Sequence, residues 1–105
     1  MDAYKVSLEL ARAIRPLISR LRTSDPSLLK QLTRAMASVP LNLAEGRQRN
    51  GKDRVHLYRI AAGSVAEVKA CLDVAEALGY IEGEHATQSR ELADRMAAMC
   101  WRLTH

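Results

Sequence analysis

Lys52–Leu78 reads KDRVHLYRIAAGSVAEVKACLDVAEAL. Within it Tyr58, Ala61, Val65, Val68, Leu72 and Ala75 recur at steps of three and four. That spacing predicts one long helix with a bundle seam along it. A second stripe runs beside the first: Leu57, Ile60, Ser64, Glu67, Cys71, Val74 and Leu78. Two adjacent stripes predict a helix covered on more than one side. Gly63 and Ser64 lower helix propensity, by about 1 kcal/mol for the glycine, so another backbone is expected to approach closely there. Gly79-Tyr80 has the form of a Schellman stop with its apolar follow-on residue.

Upstream, Ser24-Asp25-Pro26 is a helix start, an N-cap acid followed by proline at the first helical position. The helix it opens should bury Leu28, Leu32, Ala35, Val39 and Leu43. Ser27, Gln31, Arg34, Ser38, Asn42 and Glu45 form a polar stripe on another face, and Pro40 should kink the run. Gly46 through Gly51 makes a basic, polar turn that ends it. The first helix, about Asp2 to Arg22, has Ala3, Leu10, Ile14, Leu17 and Leu21 on its apolar face, with a bend expected at Pro16. Tyr4, Leu8 and Ala11 make a small secondary patch. Downstream, a fourth helix is expected from Gly83 or Glu84 to about Leu103, burying Leu92, Met96, Met99 and Leu103. All the turns are short, so successive helices should be antiparallel neighbours. The expected fold is all-α: a single antiparallel up-down-up-down four-helix bundle over residues 1–105.

Composition agrees. The 105 residues include 16 Ala and 14 Leu but only 14 Val, Ile and Thr combined, a balance that favours helix over sandwich or barrel. No apolar run approaches the roughly 20 residues of a membrane span. No signal peptide is recognisable, and the expected compartment is the cytosol. Cys71 and Cys100 sit among apolar residues and are expected to be buried thiols. The net charge of +4 is uneven: residues 1–50 carry +5 and residues 51–105 carry −1. Arg outnumbers Lys twelve to four. That bias suits phosphate contacts, although a GC-rich genome produces the same one.

No catalytic signature is present: there is no P-loop, GxSxG or GxGxxG. Glu82 and His85 make a single Glu-x-x-His at a helix start. Di-iron bundles need two such motifs and two further carboxylates, so no metal and no cofactor is expected. Glu67 interrupts an apolar stripe, and a pairing with an arginine on a neighbouring helix is expected. A pocket carboxylate with a raised pKa would instead point to a small all-helical mutase, in the manner of chorismate mutase. The remaining signal is basic. Lys5, Arg12, Arg15, Arg20 and Arg22 share one helical arc, and Arg47, Arg49, Lys52 and Arg54 cluster at a turn. A solvated surface is the ordinary explanation. The functional one is a phosphate-binding surface for RNA or DNA that contacts backbone without reading bases. With one Trp and three Tyr there is little sign of base stacking.

Ser38-Val39-Pro40-Leu41-Asn42-Leu43-Ala44-Glu45-Gly46 resembles the Ser-Ile-Pro-x-Asn-Ile-Ala-Glu-Gly motif of the small four helix bundle protein family, also called the 23S rRNA-intervening sequence protein family. Ile60-Ala61-Ala62-Gly63-Ser64-Val65-Ala66-Glu67 is similar to its second motif, Ile-Ala-x-Gly-Ser-x-x-Glu. Leu78-Gly79-Tyr80-Ile81 is similar to the turn after its third helix. The resemblance covers nearly the whole chain; His56-Leu57-Tyr58 stands where members often have Arg-Phe-Leu. It implies an antiparallel four-helix bundle, a ring-like homopentamer and no enzymatic activity. A related branch, the accessory variability proteins of diversity-generating retroelements, binds nucleic acid and a reverse transcriptase. The motif residues carried over are Pro40, Asn42, Glu45, Gly46, Gly63, Ser64 and Glu67, each expected to be structural: Pro40 bending helix two, Gly46 ending it, Gly63-Ser64 permitting close packing, and Asn42 with Glu45 sharing a hydrogen-bond network with helix three. A protein adaptor that uses Tyr4, Leu8 and Ala11 is the alternative binding role.

Overall fold

The computed structural model describes all of residues 1–105. Four helices follow one another: α1 (Asp2–Ser24), α2 (Pro26–Arg47), α3 (Gly51–Ala77) and α4 (Thr87–Thr104), with a 3-10 turn over Gly83–Ala86 before α4. α1 packs on α2 and α4, and α3 packs on the same two. α1 and α3 are therefore diagonal, and their outer faces point in opposite directions. The body measures 43 × 22 × 19 Å. No helix is long and apolar enough to cross a membrane.

The periodic residues build the core as expected in α1, α2 and the main seam of α3. Leu10, Leu17, Leu21, Leu32, Leu43, Val65, Val68 and Leu72 are fully buried. Val6 and Ser7 complete the buried face of α1. Pro16 and Pro40 lie inside helices that continue past them. In α4 the buried face is turned from the expected one. Ser89, Ala93, Met96 and Cys100 are buried, while Leu92, Met99 and Leu103 are only half-buried. Small residues let α4 sit close to its neighbours, and the longer side chains close the seam from the side.

Local chemistry sets the helix ends. The Asp25 carboxylate accepts from the Leu28 N–H at 3.0 Å, capping α2 with Pro26 at its first position. At the end of α3, Gly79 takes φ +78, the Tyr80 N–H donates to the Ala75 carbonyl at 2.9 Å and the Gly79 N–H to that of Glu76 at 3.0 Å. These are the two bonds of a Schellman motif. Glu82 and His85 close a capping box on the 3-10 turn, so α4 itself starts four residues later than Gly83.

Two glycine roles differ from expectation. Gly46 does not end α2, which runs on to Arg47. It is buried, and a Cβ there would stand 2.5 Å from Tyr58 Cε1 and 2.9 Å from Cδ1. Gly46 instead lets the Tyr58 ring lie against the α2 backbone. Gly63, expected to permit close packing, has open space where a Cβ would project, so nothing within the chain requires a glycine there. Opposite outcomes are expected for the two alanine variants. Gly46→Ala should lose about 1–3 kcal/mol through overpacking, more than the roughly 1 kcal/mol that alanine gains as a helix former. Gly63→Ala, measured where the chain is a single copy, should leave the bundle as stable or up to about 1 kcal/mol more stable. Urea midpoints check both, and a Gly46→Ala variant as stable as the parent would show that the Tyr58 ring moves aside freely.

Candidate functional site

On α1, Lys5, Arg12, Arg15, Arg20 and Arg22 are all exposed. Ala3, Val6, Leu10, Ile14, Leu17 and Leu21 occupy the opposite arc. The bundle's ion pairs are Arg49–Glu45, Lys69–Asp94, Arg90–Asp73 and Arg90–Glu76. None uses an α1 cation. Arg12 also lines a surface groove of about 720 Å³ between α1 and α4, with Glu9, Gln88, Glu91 and Arg95. The two glutamates offset charge locally, so the strongest positive stretch runs from Arg15 to Arg22.

The basic turn divides by role. Arg54 donates from Nε to the Gly46 carbonyl and from Nη2 to the Arg47 carbonyl, both at 3.1 Å. It clamps the open end of α2 and is committed to structure. Arg49 pairs with Glu45 at 3.1 Å across exposed side chains, a contact worth little in water. Arg47 and Lys52 are exposed without such partners. The up-and-down path puts this turn at the same end of the bundle as Lys5, with Arg20 and Arg22 at the other.

Of the motif residues, Asn42 and Ser64 are brought together between α2 and α3, through Ser38. Ser64 Oγ donates to Ser38 Oγ at 2.7 Å, and Asn42 Nδ2 donates to the Ser38 carbonyl at 2.8 Å and to its Oγ at 3.0 Å. This network ties α2 to α3, as expected for Asn42. Glu45 stays outside it, held by Arg49. Pro40 lies on the other flank of α2, in a shallow apolar groove with Ala11, Ile14 and Ile18. Glu67 has no ion pair, contrary to the expected pairing. It is exposed and lines a surface groove of about 350 Å³ with Gln31, Arg34, Ser38 and Ser64.

The second stripe of α3 is only partly covered. Ser64 and Cys71 are buried, but Ile60, Val74 and Leu78 are 39%, 43% and 59% exposed. Gly63, Ala66, Ala70 and Ala77 are exposed too, and at 100° per residue they share the same outer side. Leu41 on α2 is 67% exposed as well. From Ile60 to Leu78 the outer side of α3 is thus mostly small and apolar, with Glu67 its exposed charge, whereas its first turns carry Lys52, His56 and Arg59; the outer side of α1 is basic.

Cys71 and Cys100 are free and buried, as expected. Burial pushes both thiols up from their ordinary pKa, and the Glu67 charge adds to the rise at Cys71. In the folded protein both should react with a disulfide reagent at least about tenfold more slowly than in denaturant. Fast native labelling at neutral pH would contradict the burial.

The basic residues singled out in the sequence omit Arg59, which is exposed on α3. They also omit the surroundings of Trp101, which is 61% exposed and stacked on His105. The charge of Arg59 was visible in the sequence, but its nearness to α4 required the helix pairing.

Comparison with known proteins agrees with this architecture. The family model described as 23S rRNA-intervening sequence protein matches residues 1–102. A solved structure of a protein of unknown function from the S23 ribosomal protein family of Bacteroides thetaiotaomicron is similar, with a TM-score of 0.87 at 21% identity. The match covers 97% of each chain, and at that identity it shows the fold. No curated protein matches.

Proposed function

Because the chain belongs to the 23S rRNA-intervening sequence protein family, we propose that it is a small non-catalytic oligomer that binds the backbone of RNA or DNA through the basic face of α1. One observation carries this reading: five cations stand exposed on one helix, outside every ion pair of the bundle. Charges so placed neither hold the core nor neutralise one another, and they suit a polyanion. Fluorescence anisotropy with a labelled single strand tests it. Affinity should fall with log salt at about −0.7 per phosphate contact. Absence of binding at low salt would overturn the reading and favour a protein adaptor. That alternative has weaker support, because Tyr4, Leu8 and Ala11 are each half-buried.

The oligomer is a ring-like homopentamer packed through the outer side of α3. An apolar helix side with a glycine that its own chain does not need suits a close helix–helix contact. α1 is diagonal to α3, so packing through the Gly63–Ala77 stretch leaves the basic face of α1 and the first turns of α3 free in every copy and multiplies the charge around one assembly. Light scattering after size exclusion should give close to five times the 11.7 kDa chain mass. A mass near 11.7 kDa at micromolar concentration would overturn the oligomer.

A further inference from the structure

Trp101 is the only tryptophan of the chain, and the bundle leaves it 61% exposed. One face of its indole is covered by the His105 ring, with centroids 4.5 Å apart and planes 9° from parallel. His105 is held there by Nδ1 contacts at 3.0 Å to Thr104 Oγ1 and to the Trp101 carbonyl. The indole therefore already accepts a flat, nitrogen-bearing ring in offset-parallel geometry.

The helix pairing shows what surrounds it. Lys69 on α3 and Asp94 on α4 meet at 2.7 Å. Trp101 lies seven residues past Asp94, and in antiparallel helices this brings it level with Ala62, seven residues before Lys69. Seven residues are close to two full turns, so Trp101 stays on the side of α4 that faces α3. One turn further along α3 is Arg59, and two turns beyond that Lys52, both exposed and in no ion pair. The aromatic and these cations share the bundle end that also carries Arg47 and Lys5. An exposed aromatic face flanked by unpaired cations is the arrangement that holds a single strand: cations track phosphates while a base stacks on the ring.

We propose that Trp101 is a stacking platform for one unpaired base of a single-stranded nucleic acid, with Arg59 contacting a flanking phosphate and Lys52, about 15 Å along α3 from the level of the indole, a phosphate further along the strand. In the free protein His105 occupies the base's place. Trp101 adds a preference for single strands to the backbone binding proposed above, and its role rests on that reading. Base–aromatic stacking tolerates any sequence, because every base has a π-face.

A lone tryptophan makes the test direct. Oligo(U), a duplex of equal length and inorganic polyphosphate are titrated into the intact protein while Trp101 fluorescence and binding are followed separately. Oligo(U) should quench the fluorescence, whereas polyphosphate should bind without comparable quenching. Trp101→Ala should weaken oligo(U) binding about tenfold or more and leave polyphosphate binding unchanged. Trp101→Phe should recover part of the loss. Oligo(U) binding with no quenching, and with equal affinity in Trp101→Ala, would overturn the platform and leave the basic-surface reading standing. A Trp101→Ala variant that loses both ligands or changes the oligomer mass would also overturn it, because the tryptophan would then be a structural or subunit contact. Failure of every ligand to bind the parent protein would overturn both readings.

Discussion

Replacing Arg12, Arg15 and Arg20 together with glutamine should weaken single-strand binding on the order of several hundredfold at about 50 mM salt. The magnitude comes from counterion release: three lost phosphate contacts remove about 2 from the slope of log affinity against log salt. The fold should survive, because all three side chains are exposed and none enters an ion pair. Glutamine keeps the helix propensity close to that of arginine. Circular dichroism checks the fold, and anisotropy at several salt concentrations gives affinity and slope. A folded triple variant with unchanged affinity and unchanged slope would remove α1 from the interface. Arg54 is a poor choice for this experiment, because its two bonds to the end of α2 tie it to stability.

Ala70→Arg should convert the oligomer to a single chain near 11.7 kDa. Ala70 is exposed on the outer side of α3, between Gly63 and Ala77. An arginine there costs the isolated bundle little, since the site is open and arginine is a good helix former. In a close helix–helix contact its bulk would hold the helices apart and its charge would lose water, which one nearby carboxylate, Glu67, does not offset. Ala98→Arg, at an exposed site on α4, is the control and should keep the parent mass. Light scattering after size exclusion reads both. An Ala70→Arg protein with the parent's mass would place the subunit contact elsewhere.

The difference between these two experiments lies in what each residue's neighbours are. The cations of α1 were legible in the sequence, because helical periodicity alone separates an exposed arc from a buried one. The same argument could not divide the second stripe of α3. Ser64, Glu67 and Val74 recur at similar spacing, yet Ser64 is bonded to Ser38, Glu67 opens onto a groove and Val74 faces outward. Periodicity gives the angle of a side chain about its own helix and says nothing of which neighbour fills that angle. The buried face of α4 differs from the expected one for a related reason. Leucines and methionines mark an apolar stripe, but the closest approach of two helices selects small residues, here Ser89, Ala93 and Cys100.

Some features needed nothing beyond local chemistry. The Asp25-Pro26 start, the Gly79-Tyr80 stop, the four helices and their antiparallel order all follow from bonds and spacings within a few residues along the chain. These the sequence determined by itself. Contacts between residues far apart in the chain needed the tertiary structure. Gly46 became a seat for the Tyr58 ring, Arg54 a clamp on α2, and Gly63 a glycine with open space beside it. Trp101 came level with Ala62 only through the pairing of α3 with α4. The physical reason is one of range. Capping and periodicity act over one or two turns of backbone. The neighbours of Gly46, Gly63 and Trp101 are fixed only when separate helices settle into register, and that register depends on every buried side chain at once.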